Sequence, residues 1–388
     1  MKRFSIILLG ALAMLMAGCS KDITPSPSND PDAWMYDETL PVPIRFSATT
    51  EPVTKGSAIN LPQDMEGKQF GFFAVSSQVS DWRNETGLDM PQNALATCEL
   101  VDGTNQVQFS FDKGPYYYPQ TYTDNYTFYG YHAIRAENYV RQSPDSLFVV
   151  VEVGRTDILW GKAKAETQTV DGEPYDGFNA RYIRKTGIQP RMEFKHSTAC
   201  VSFKAKTDYS EFASNNDGKD RIVVNGVTVL NTVTAAILRV AVKDEVTEDR
   251  NGKPIVQEEW EGSLRPSSRK DLAAEEVKTE PLTEESERLC GDMFLAPSET
   301  ITVRLDYTVE SGDMTTKSYS STYTLSPKFT SEGNAMTGFH AGYKYNYNFI
   351  IYTPERIAIE ATVEEYKSAF GKDGEGNDIF EDVKPDNE

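Results

Sequence analysis

The chain has 388 residues, enough for two domains of ordinary size with a core each, so neither half depends on disulfides. It carries 39 basic and 59 acidic residues; without residues 1–18, which hold Lys2 and Arg3 and no acid, the net charge moves from −20 to −22. That balance argues against nucleic acid as a partner, because phosphate affinity comes mainly from basic side chains that displace counterions, and it fits a soluble, self-repelling shell outside the cell.

From the N-terminus, Lys2 and Arg3 form a basic region, FSIILLGALAMLMAG a short apolar run, and LMAGC a small-residue cleavage site ending in cysteine. The run is shorter than the about 20 residues a comfortable transmembrane helix needs. Residues 1–18 therefore read as a lipoprotein signal peptide with Cys19 as the lipidation site; the competing reading is a plain secretory signal in which Cys19 is incidental. Residues 19–41, rich in Pro, Ser and Asp, read as a flexible tether.

A succession of short alternating runs follows. VPIRFSA (42–48) places Ile44, Phe46 and Ala48 on one face, and QFGFFAV, VQFSFD, YTFYGYHA, SLFVVVEV, MEFKHS, ACVSFKA, RIVVNGVTVL, ILRVAV and TITVRLDYTV come after it. Asp217-Gly218 and Asn251-Gly252 are tight-hairpin dipeptides. Helical periodicity is weak, RKDLAAEEVKT (269–279) being the best candidate. Alternation lapses over 171–190, where Gly and Pro cluster, and the expected domains are 42–185 and 186–388. The predicted fold is all-β, built of antiparallel sandwiches.

The chain closes on two further strands. Tyr343, Tyr345, Tyr347, Phe349 and Ile351 share one face; after Thr353-Pro354, Ile357, Ile359, Ala361 and Val363 alternate with Glu360, Thr362 and Glu364. The tail beyond residue 366 is acidic and turn-rich, which reads as solvated. Within it DGEGNDIFED resembles a calcium loop, but Asp378 stands where glycine is needed and Lys384 where a bidentate Glu belongs, so an acidic surface loop is the better reading.

Little in the chain points to catalysis. His132, His196 and His340 have no second ligand at zinc spacing, and His196 reads as a bulge or a hydrogen-bonded core histidine. There is no phosphate loop and no nucleophile elbow, so no catalytic residue, metal site or cofactor is expected. Cys98, Cys200 and Cys290 read as small buried hydrophobes rather than as a bridge and a leftover. Eight aromatics between Tyr116 and Tyr131 suggest either a sugar-stacking platform or, better, a sandwich core with a tyrosine-rich rim.

Read in order, several stretches resemble the fimbrillin family, the lipoprotein-derived subunits of type V pili in Gram-negative bacteria. The resemblance runs from Cys19 through IRFSATTEPVTKG (44–56), FGFFAV (70–75), YYYP (116–119), TFYGYHA (127–133), DILWGKAKA (157–165) and MEFKHSTACVSFKA (192–205) to FHAGYKYNYNFIIYTPERIAIEATVEEY (339–366). It implies two transthyretin-like sandwich domains and a non-enzymatic outer-membrane lipoprotein at the cell surface. Such a subunit assembles with other pilus subunits as shaft, tip or anchor and contributes to adhesion to a host or glycan ligand. The rival reading is a surface glycan-binding lipoprotein.

In the resembled family, polymerising subunits lose their first strand to a trypsin-like protease, and the groove accepts a neighbour's strand. Transferred to this sequence, the processing candidates are Lys55, in the loop after the first strand, and Arg45, inside it. The strand-exchange candidates are Ile44 and Phe46 in the first strand and Tyr345, Tyr347, Phe349, Ile351, Ile357, Ile359 and Val363 in the closing pair.

Overall fold

The computed structural model describes residues 32–49 and 62–365, apart from 84–87, 102–105, 121–123, 134–139, 164, 209–220, 244–246, 249–253, 256–259, 312–314, 332–333 and 354–355. A 3₁₀ turn, Ala33–Met35, precedes strand β1 (Ser47–Thr49) and the one-turn helix α1 (Pro62–Met65). Next come β2 (Gln69–Ser76), β3 (Ala94–Leu100), β4 (Gln106–Phe111), β5 (Tyr126–His132), β6 (Val140–Gln142), β7 (Ser146–Glu152), β8 (Leu159–Ala163), β9 (Gln168–Val170) and β10 (Glu173–Tyr175). Helix α2 (Ala180–Thr186) leads to β11 (Glu193–His196), β12 (Ala199–Thr207), β13 (Arg221–Val242), β14 (Thr247–Glu248), β15 (Pro254–Ile255) and β16 (Leu264–Ala273). The chain finishes with β17 (Glu287–Arg288), β18 (Met293–Leu295), β19 (Ile301–Glu310), β20 (Thr316–Leu325), β21 (Lys328–Ser331), β22 (Asn334–Thr337), β23 (Tyr343–Thr353) and β24 (Arg356–Glu365).

The chain is all-β, and three sheets carry it. The first is seven-stranded, in the order β1-β4-β3-β2-β5-β8-β11. Its two ends meet, because Ser47 of β1 bridges Arg191, just ahead of β11. The second runs β17-β12-β23-β24 with β18 beside β12, and the third β20-β19-β13-β7-β6 with β16 beside β13. One pairing departs from the antiparallel expectation: β23 lies parallel to β12, from Cys200 opposite Lys344 to Thr207 opposite Ile351.

Burial explains why β2 reads as a nearly unbroken apolar run rather than a half-polar one. Phe70, Phe72 and Ala74 enter the core enclosed by the first sheet, while Phe73 and Val75 face the other way into a core shared with Tyr129, Tyr131, Leu147, Val149 and Leu238. A strand covered on both faces has no solvent side to mark with polar residues. The third core lies between the second and third sheets and holds Val201, Phe203, Val229, Leu305, Tyr345 and Phe349.

Strand β13 ties these cores together. The two runs expected at 221–230 and 237–242 form one strand of 22 residues. Asn231, at φ 45°, and register shifts between Val229 and Ala236 absorb the change of phase between them. Its first half pairs with β19 and its second with β7. Strands therefore cross the expected boundary at 185/186: β6 and β7, from before it, join the third sheet, and β11, from after it, joins the first.

The best helix candidate, 269–279, is not helical: its first part lies in the edge strand β16, paired with β13 from Leu264 opposite Leu238 to Ala273 opposite Thr228. The Asp217-Gly218 and Asn251-Gly252 turns lie outside the described residues, although β14 and β15 flank the second as an antiparallel pair. Residues 32–41, read as the end of the tether, are packed against the first sheet's core, with Ala33 and Trp34 buried. Composition favoured a leash there; the buried Trp34 and the bonds from Arg184 to the segment's carbonyls dock it instead.

Candidate strand-exchange site

Of the expected strand at 42–48 only the end is regular, as part of β1 (Ser47–Thr49); residues 42–46 form an extended lead-in, and lead-in and β1 together, called the first strand below, close the first sheet. Val42, Ile44, Phe46 and Ala48 are each at most 3% exposed, whereas Arg45 between them points outward. Phe46 stacks on Phe72 with centroids 4.6 Å apart and meets Phe128 and Phe111 edge-on at 4.9 and 5.6 Å. Burying each such side chain is worth roughly 1.5–3 kcal/mol.

The segment's backbone is bound along one edge and, at Ser47, on the other as well. On one side Ile44 N donates to Tyr116 O at 2.8 Å, Tyr118 N to Val42 O at 2.9 Å and Phe109 N to Phe46 O at 3.3 Å. On the other, Ser47 N donates to Pro190 O at 3.2 Å and Met192 N to Ser47 O at 2.9 Å. Taking this strand out would leave a row of unpaired amides and carbonyls on the Tyr116 side, and Pro190 O and Met192 N on the other, over an aromatic floor. A groove of about 610 Å³ already opens beside it, lined by Trp34, Pro43, Ile44, Phe109, Phe111 and Tyr117 among others.

Of the processing candidates, Arg45 sits in the extended lead-in to β1 with both neighbours buried, so its peptide bond is covered while the segment is in place. Its guanidinium pairs with Asp32 at 2.9 Å. Lys55 and Cys19 lie outside the described residues.

The closing pair occupies a different place. Strand β23 is interior to the second sheet, between β12 and β24, and Tyr345, Tyr347, Phe349 and Ile351 are at most 3% exposed. Val363 is buried, and Ile357 and Ile359 are half-buried against the same core. The Tyr345 hydroxyl accepts from His340 N at 2.8 Å and donates to Gly338 O at 3.1 Å, locking the turn that leads into the strand. Burial raises the pKa of both Tyr345 and Tyr347. The strand-exchange candidates thus fall into two separate cores rather than one site.

The remaining candidates are structural. His196 is buried with Nδ1 2.8 Å from Asp157, and Thr198 donates to the other carboxylate oxygen at 3.0 Å. This pins the end of β11 to the residues before β8. Tyr116, Tyr118, Tyr126, Phe128, Tyr129 and Tyr131 are buried, and they form core rather than a platform. The indole of Trp160 donates to Val240 O at 2.7 Å, and Gly262, at φ 77°, lies flat against its ring, where a Cβ would come within 2.9 Å. Among the described residues no group of three or more His, Cys, Asp or Glu could hold a metal ion.

Cys98, Cys200 and Cys290 are free and buried, as small hydrophobes are. Burial pushes the Cys98 thiol up to about 12 and the Cys290 thiol up to about 11. The stability that rests on these neutral thiols is present below pH 9, the ordinary thiol value, and is lost as the pH rises toward those values. Alkylation by iodoacetamide, mapped by mass spectrometry, is expected to spare all three in the native protein at pH 8 and to label all three in denaturant; native-state labelling at pH 8 would contradict this.

Sequence reasoning missed α2 and Arg184. Asn179 caps the helix, its side chain accepting from Tyr182 N at 2.8 Å, and Gly187 closes it at φ 70°. The spacing of that asparagine and glycine was the available signal, inside a stretch that read only as a break.

An all-β chain whose N-terminal strand closes its first sheet has the architecture of a strand-built structural subunit. A family model described as fimbrillin-like matches residues 62–365, and the chain belongs to that family. No curated protein matches the sequence. Among solved structures, it is similar to a Bacteroides uniformis protein assigned to cell adhesion, at 14% identity and TM-score 0.43 over 85% of this chain and 99% of that one. It is also similar to the fimbrial anchor protein Mfa2 of Porphyromonas gingivalis, at 8% identity and TM-score 0.34 over 85% and 100%. The tip fimbrial protein Mfa3 of the same organism, with a C-terminal truncation, matches at 7% identity and TM-score 0.32 over 84% and 100%.

Proposed function

We propose that this protein is a non-enzymatic fimbrial subunit of the cell surface, exported as an outer-membrane lipoprotein on Cys19 and assembled with other subunits by β-strand addition. The observation that carries the reading is the first strand: bound by backbone along one edge and at Ser47 on the other, and anchored by Ile44 and Phe46, it fills a slot that another subunit's strand fits once it is gone. Membership of the fimbrillin-like family supports the subunit class. Lys55 is the better processing point, since the bond after Arg45 becomes accessible only when the strand has already left.

Cys19→Ala is expected to move the protein from the membrane fraction to the soluble one, because among the described residues no helix is long and apolar enough to cross a membrane in place of the acyl anchor. Unchanged membrane association of the variant would overturn the lipoprotein part of the reading. Mass spectrometry of the native N-terminus then separates a retained lipidated Cys19 from a chain beginning after Lys55.

A further inference from the structure

Arg184 makes the densest set of side-chain contacts to backbone at the site, and they all go to one segment. Its Nη1 donates to Trp34 O at 2.9 Å and Asp37 O at 2.7 Å, and its Nη2 to Glu38 O at 3.3 Å and to Leu40 O. These four carbonyls belong to the 3₁₀ turn, at Trp34, and to the stretch between it and the first strand. The guanidinium stands in the last turn of α2, a helix capped at both ends and anchored by buried Tyr182 and Ile183, so the fork is held on a rigid support. The same segment is fixed at two more points, by the buried indole of Trp34 and by Asp32 on Arg45.

We propose that Arg184 is a carbonyl-binding latch, a second binding site beside the strand groove, whose ligand is a peptide turn leading into an extended strand. In the intact chain residues 34–40 supply that turn. The inference rests on the reading that the first strand is exchangeable, and adds that the exchanged unit is the turn and the strand together, residues 32–49. A cut in the loop after the strand is then insufficient to open the groove. The severed piece stays bound until the four carbonyl contacts are given up, and an incoming chain that offers Arg184 carbonyl or carboxylate oxygens replaces it faster than one that offers only a strand. Charged hydrogen bonds of this kind, once lost without replacement, speed release by roughly ten- to a hundredfold.

The test uses the full chain with a specific protease site inserted between Lys55 and Gly56. After cutting, retention of the N-terminal fragment is followed by size exclusion across a urea series, in the parent, in Arg184→Ala and in Arg184→Lys. The parent is expected to hold its fragment to the highest urea concentration and, at one fixed sub-denaturing concentration, to release it at least about tenfold more slowly than Arg184→Ala. Arg184→Lys, which keeps the charge but not the fork, is expected to fall between them and serves alone if the alanine variant does not fold. Equal release from all three overturns the latch and leaves the exchangeable strand standing. A fragment that stays on every variant until the whole protein unfolds overturns both.

Discussion

Phe349→Asp together with Ile351→Asp is expected to unfold the sandwich formed by the second and third sheets. Both side chains are fully buried on β23, which is interior to its sheet with β12 on one side and β24 on the other. Phe349 also packs against Phe203 and Tyr323, with centroids 6.2 and 5.6 Å away. A carboxylate without a partner in such a place costs several kcal/mol, and two of them exceed the margin of an ordinary domain, about 5–15 kcal/mol. Loss of the cooperative melt and tryptic digestion of residues 199–365 are the expected readouts. A variant that melts like the parent would mean that the closing hairpin is an appendage, free to leave and to serve as a donor strand, which its present packing contradicts.

Phe46→Ala is expected to destabilise the first core by about 3–5 kcal/mol, the usual range for removing a buried ring, measured as a fall in the urea midpoint with an unchanged slope. The site cannot collapse to fill the space, because Phe72, Phe128 and Phe111 surround the ring and each is held by its own strand. The same change at exposed Arg45 is expected to cost little, since its pair with Asp32 is half exposed on both sides. A cost at Phe46 no larger than that at Arg45 would show that the first strand contributes nothing to the core.

Strands with one wet face were legible in the sequence, because alternation is written in the side chains that the pleat sorts. The closing pair from Tyr343 to Glu365 is such a case, and so is β19, where Ile301, Val303, Leu305, Tyr307 and Val309 are buried in turn. Others were hidden for physical reasons. In β16 only Leu272 is buried, so an edge strand rich in Arg, Lys and Ser gave a weak helical pattern instead. In β20 the inward residues before the buried Leu325 are Tyr319, Ser321 and Tyr323, spaced among serine and threonines, which carries little hydropathy contrast.

The candidate exchange site was half legible for a related reason. Ile44 and Phe46 announce a core strand through their own side chains. The binding of residues 34–40 by Arg184 does not announce itself, because the acceptors are backbone carbonyls and leave no trace in residue identity. Where the chain crosses between sheets is likewise set by pairing partners far apart in sequence, as with β7 on β13.

The claim that the first strand is the removable closing strand of the first sheet is tested most directly with a chain that begins at Gly56. Such a chain keeps the groove and lacks the strand. It is expected to melt below the intact chain, and a synthetic peptide of residues 32–49 is expected to bind it and restore the melt by refilling the slot. A chain from Gly56 that melts like the intact chain, at the same temperature with or without the peptide, would contradict the account.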